Sequence, residues 1–324
     1  MNKKEVRFRP FRPGDGQGVV EVLREFYKDD YFNRECYDVD YLEKSSRDGR
    51  RIIFVGVAEG DGIVGVAGGH YRAYFPGSYE LGLHVFKQAY QGRGLARALL
   101  ADCVKSMGRM RIYGVYGMAI SFHDRSQREC ESIGLPATGL WLGRHRSDRC
   151  FFAEKPRSPK LHSVVVASPG VARNSGPLFA PARHREFIAG VYEKLHTPFS
   201  FANDTECLAE LSSYYIKDTE DAHNRDIYVR SIGRDLPDQI HALMRGDEDA
   251  DSYTVFLNML DAGCEGVCEK LFNMGFYFTG IHPLHDHSEF IMLHRECRGG
   301  YDWDEAVLTP TNRRMLDYIL KNKR

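Results

Sequence analysis

At 324 residues the chain is long for one domain and suits two of about 150 residues each. Hydrophobic residues at 43% and charged residues at 27% describe a globular protein able to bury a core, and a formal net charge of -1 advertises no basic face for nucleic acid. Eight cysteines without a secretory leader, and no apolar run of membrane-spanning length, predict reduced thiols in a cytoplasmic protein that leaves membranes alone.

In chain order, the patterning predicts a strand at 6–10, a helix at 16–27 and a second helical segment at 37–47. Strands follow at 52–59 and 63–74, joined by Gly60-Asp61-Gly62, and then at 79–86. A glycine-containing loop leads into an amphipathic helix at 95–107, followed by a strand at 112–121 and a helix at 123–133. A last strand pair is expected at 138–142 and 150–154. The polar stretch Glu154-Lys-Pro-Arg-Ser-Pro-Lys160, whose two prolines suit neither helix nor central strand, predicts a boundary between domains at 1–155 and 161–324. In the second half, a strand at 225–230 precedes the turn Gly233-Arg-Asp-Leu-Pro237 and a helix at 238–245. A strand at 252–260, a helix at 264–274, a hairpin from 276–281 and 290–294, and a closing helix complete it.

The most informative segment is Gln91-Gly92-Arg93-Gly94-Leu95-Ala96, between an apolar strand and a helix. The first amides of a helix have no intrahelical partner and the helix dipole adds positive charge there, so the turn predicts a phosphate cradle. Arg93 and Arg97 add cations able to pair with phosphate. The spacing fits neither the dinucleotide fingerprint nor the P-loop. On the preceding strand, Glu80 is a carboxylate in apolar company, which needs a partner or a job. His84 is a second candidate base, expected on the same sheet face as Glu80 by the two-residue period.

What fits Gln91, Gly94 and Ala96 is Q/R-x-x-G-x-G/A, and the chain thereby resembles the GNAT superfamily of N-acetyltransferases. The resemblance implies an α+β fold (α/β in some schemes), a mixed, mainly antiparallel twisted sheet flanked by helices. It implies acetyl-CoA or another acyl-CoA as co-substrate, its pyrophosphate on the amides of Gly92, Arg93, Gly94, Leu95, Ala96 and Arg97, with an amide near Val85 polarising the thioester carbonyl. Glu80 then takes the proton of an acceptor amine, carried by a small molecule or a protein, for direct attack on the thioester. In the following helix His123 stands where the family has asparagine, Ser126 opens the helix body, and Cys130 replaces the tyrosine that protonates the departing thiolate. That departure leaves the acid open between Cys130 and a tyrosine such as Tyr116. The acceptor is expected to pass Tyr27, Tyr31, Phe32 and Tyr37. The second half resembles the tail of the same pattern without its loop: a tandem protein with a degenerate GNAT-like half, one co-substrate per chain, and a homodimer compatible with it. A non-catalytic acyl-CoA sensor, or an enzyme of this fold using a carrier-protein thioester, is the alternative.

His282-Pro-Leu-His-Asp-His287 and the Cys264/Cys268 pair are the two clusters with metal-ligating side chains. Neither supplies four ligands at paired short spacings, so no metal is expected. The histidines are expected in an exposed loop, the cysteines on the buried side of a helix.

Overall fold

The computed structural model describes residues 4–146, 160–204, 208–219 and 223–323. The expected strand at 150–154 and nearly all of the proline-containing stretch lie outside them. The described residues form an α+β protein of mixed sheet and eight α-helices, and their contacts gather into two compact units, 1–117 with 168–172, and 118–167 with 173–324.

In the first unit, β1 (Val6–Pro10), β2 (Arg51–Ala58), β3 (Gly62–Arg72) and β4 (Phe75–Phe86) pair antiparallel in chain order, and β5 (Gly114–Ile120) joins β4 in parallel. Helices α1 (Gly16–Tyr27) and α2 (Val39–Arg47) put Val19, Val20, Leu23 and Leu42 on Ile53, Val55, Val66, Leu83 and Val85 of one sheet face. The Asp38 carboxylate caps α2 by accepting from the amides of Asp40 and Tyr41. On the other face, Met107 of α3 (Leu95–Met107) sits over Gly69 of β3.

The second unit begins inside β5. It contains α4 (Arg125–Ser132), β6 (Ala137–Arg146), β7 (Lys160–Pro169), α5 (Arg185–Lys194), β8 (Ser213–Thr219), β9 (Asn224–Ser231), α6 (Leu236–Gly246), β10 (Ser252–Asn258), α7 (Cys264–Asn273), β11 (Tyr277–His285), β12 (Ser288–Glu296) and α8 (Pro310–Lys321). Its strands run β7-β6-β11-β12-β10-β9-β8, antiparallel except for β9 and β10. Ile188, Val191, Leu236, Ile240, Val267 and Leu271 of its helices pack on Ile227, Val255, Phe278 and Ile291. The order strand, strand, helix, parallel strand, helix, hairpin thus occurs twice along the chain, from β3 to β7 and from β8 to β12.

By contacts the compact units part after Gly117, and β7 stays with β6 across residues 155–160, Ala137 opposite Val166 and Trp141 opposite Ser163. The β-branched run in Leu161-His-Ser-Val-Val-Val-Ala167 makes β7 a buried strand. One expectation needs correction. His282 and His285 are not loop residues. Both are fully buried at the end of β11, their rings joined by a 2.7 Å contact between Nδ1 and Nε2, and only His287 is exposed. A bulge between His282 and His285 lets the strand continue. Burial pushes His285 down to about 3 and His282 well below its ordinary value. Cys264 and Cys268 are buried on α7, as expected.

Candidate active site

Gly92 and Gly94 hold φ of +70° and +72°, and a Cβ at either would meet nothing within 4 Å. Glycine is thus needed for the backbone conformation and not for packing, and the space over the turn is open. The first ladder bond of α3 runs from the Ala98 amide to Gly94 O at 3.1 Å, so the amides of Leu95, Ala96 and Arg97 precede the ladder, with no acidic side chain in that turn. Gln91 Nε2 donates to Phe86 O at 2.9 Å and fastens the loop to the end of β4. Arg97 is exposed, whereas Arg93 donates to Lys4 O at 2.7 Å and lies 5.3 Å from the Tyr90 ring centroid.

The corresponding turn before α6 in the second unit is closed. A Cβ on Gly233 would lie 2.4 Å from the Leu211 carbonyl carbon and 2.7 Å from Asp235 Oδ1. Asp235 accepts from the Ser212 amide and hydroxyl, placing a carboxylate where an anion cradle would need positive potential.

Pairing of β4 with β5 runs from Ser78↔Gly114 to Glu80↔Tyr116 and stops, although β4 continues to Phe86. The freed stretch carries a bulge: Val66 faces Val85 and Gly68 faces Gly82, so Leu83 and His84 together oppose Ala67. Leu83 sits at φ +54°, and its amide donates to the Tyr31 hydroxyl at 3.1 Å. The bulge corrects the expected side-chain parity. Gly82 faces Tyr31, putting Glu80 on the α1/α2 face, whereas His84 Nε2 reaches Ala96 O of α3 at 2.9 Å on the other. It also shifts the expected amide. Lys87 N donates to Val64 O, and ladder alternation sends the Val85 amide to β3 as well, leaving that of Phe86 toward the open edge.

Cross-strand neighbours set a row across four strands: Arg51 opposite His70, His70 opposite Glu80, Glu80 opposite Tyr116. All four are buried. Arg72 Nε donates to Glu80 Oε2 at 2.7 Å, and His70 Nε2 lies 3.5 Å from the same oxygen. Burial lowers His70 to about 4, helped by Arg72 and Arg51 against the pull of Glu80, so the imidazole is neutral near pH 7. For Arg72, burial works against the charge, but pairing with Glu80 outweighs it and raises the guanidinium above its ordinary value. Arg51, His70 and Arg72 escape a reading by motif. Their one sequence signal is the i, i+2 spacing of His70 and Arg72, and it gains meaning only once the register against Glu80 is known.

His123, Ser126 and Cys130 belong to the second unit. Cys130 is buried on α4, and burial, with Glu129 and Glu131, pushes its thiol up to about 12. His123 is half-buried and lowered by that burial; Ser126 is half-buried in the first turn of α4. Their neighbour Gln127 clasps α4 to the segment before α8, accepting from the Thr309 amide and Asn312 Nδ2 and donating to Val307 O.

The sequence profile of the Acetyltransferase (GNAT) family matches residues 19–129. No curated protein matches the chain. Among solved structures, the ribosomal-protein-S5-alanine acetyltransferase from Vibrio fischeri is similar with a TM-score of 0.41 at 12% identity, over 54% of this chain and 98% of that one. Spermidine N-acetyltransferase from Vibrio cholerae, in complex with CoA and spermine, is similar with a TM-score of 0.38 at 17% identity, over 50% and 94%.

Proposed function

We propose that the segment matching the GNAT acetyltransferase profile, residues 19–129, is an acyltransferase domain whose loop at Gln91–Arg97 and the open edge of β4 hold an acyl-CoA, its acyl group passing to an amine beside Glu80. The activity is N-acetyl transfer with acetyl-CoA as the default donor. The observation that carries the reading is the pair of left-handed glycines under open space at the head of a helix without acidic residues. The amides of Gly92 to Arg97 would take the pyrophosphate and the Phe86 amide the thioester oxygen, stabilising the charge that develops there.

Glu80 accepts the proton of the acceptor amine, directly or through water, as the nitrogen attacks the thioester carbon. The carbon–sulfur bond breaks, and the thiolate is protonated by an acid on this chain. Tyr116, opposite Glu80, and Cys130, buried on α4, are the two candidates for that acid. The covered turn at Gly233 supports one acyl-CoA per chain and a second unit without its own donor site.

Isothermal titration with acetyl-CoA tests the reading. One molecule should bind per chain, and Gly94→Asp, which adds a strained backbone and a carboxylate to the cradle, should weaken binding at least about tenfold. Equal binding by wild type and variant, or none by either, sinks the proposal.

A further inference from the structure

The face of the sheet that carries Glu80 holds more positive charge than the described residues neutralise. Arg51 is 4% exposed, and its Nε is buried without a hydrogen-bond partner. Among the described residues no carboxylate pairs with it; the group set against its guanidinium is the Tyr41 ring, 5.5 Å away. A cation–π contact of that kind offsets only part of what burying an ion costs. Arg72, the second cation of the cluster, is already matched to Glu80, and His70 between them is neutral near pH 7. Among the described residues the count is two guanidinium groups against one carboxylate.

Arg51, His70 and Glu80 occupy facing positions on β2, β3 and β4. Two strand spacings, about 10 Å of backbone, separate the arginine from the glutamate. An arginine side chain shortens that gap to the length of a compact molecule with an amine at one end and an acid at the other. The Arg72 side chain, 29% exposed, opens the cluster to solvent. Arg51 is level with Glu80 and two strands away from β4, whose bulge at Leu83 and His84 is where the acyl group would lie, so we assign the missing anion to the acceptor and not to the acyl group.

We propose that the acceptor is a compact amino carboxylate such as a free α-amino acid, its carboxylate received by Arg51 and its amine presented to Glu80. Guanidinium suits this task because its planar fork matches a carboxylate with two parallel hydrogen bonds. The proposal rests on the transferase reading above and narrows its substrate class.

The test compares free amino acids with their primary amides as acceptors for acetyl-CoA, following release of the CoA thiol. Acids should exceed amides by about 10–100-fold in kcat/KM, Arg51→Gln should bring acids down to the level of amides, and Arg51→Lys should keep part of the gap. The wild-type comparison requires no variant to fold, and the thermal midpoint of Arg51→Gln should not fall, since the change removes a buried unpaired charge. Amides as good as acids, a gap that survives Arg51→Gln, or a dependence on Arg51 seen with succinyl-CoA and neutral amines instead would overturn the proposal while leaving the transferase intact. Binding of amino acids in calorimetry that is lost in Arg51→Gln, with no transfer to any amine, would keep the carboxylate site and sink the transferase.

Discussion

Glu80 stands between two demands, since the oxygen bonded to Arg72 is the one nearest His70. As the proton acceptor, it should tolerate Glu80→Gln in binding but not in turnover: kcat falls by about a hundredfold or more while the Kd for acetyl-CoA stays within twofold. Loss of donor binding in that variant would give Glu80 a structural role instead. His84 acts through other groups. By tying the bulge to the first turn of α3 it positions the cradle against the open edge, so His84→Ala should raise KM for acetyl-CoA about tenfold with a smaller change in kcat. An equal fall in kcat would contradict positioning. The loop was legible in the sequence because glycines at 92 and 94 and the helix after them are contiguous, and Glu80 because a carboxylate in an apolar strand stands out. Arg51, His70 and Arg72 were not, since residues 51, 70 and 80 become neighbours only when three strands pair in one register.

Strand parity was the main element-scale feature that patterning could not supply. A period of two holds until a bulge inserts one residue, and then every later side chain changes face, which is why Glu80 and His84 part company. The partner of β6 was hidden for a different reason. Prolines at 156 and 159 read locally as a boundary, while pairing of β6 with β7 is a non-local preference that local signals do not encode. Where β6 meets β11, Gly139 faces Gly280, and Gly280 holds φ +122°. A Cβ on Gly280 would lie 2.2 Å from the Gly139 Cα, so Gly280→Ala combines backbone strain with a clash against main chain. Urea unfolding should show a loss of about 2 kcal/mol or more. A loss below about 0.5 kcal/mol would mean the contact is not maintained in solution.

Across the whole molecule, buried histidines set the response to acid. His70 and His184 are lowered to about 4, and His162 and His285 to about 3, in each case by burial first. The unfolded chain takes up these protons near pH 6.5 and the folded chain does not until about 4 or below, so stability is complete above 6.5 and declines as pH falls. Asp226 works the other way. Burial raises it to about 6, so the folded form binds that proton first and regains stability on acidification. Burial also lowers His123, His282 and His294 and raises Asp261 and Glu289, so among the described residues seven lowered histidines outweigh three raised carboxylates, and the thermal midpoint should fall steadily from pH 7 to pH 5, at most about 1.4 kcal/mol per pH unit for each net proton. A midpoint that rises over that interval would mean these rings are not buried in solution. The chain also passes between its compact units after residues 117, 167 and 172. The amides of Gly170 and Ala172 return to the carbonyls of Tyr113 and Ile112 in the first unit, while β7 stays with β6 in the second. In hereditary terms the units are interleaved, so a single crossover cannot exchange either one whole for a relative's without cutting the other.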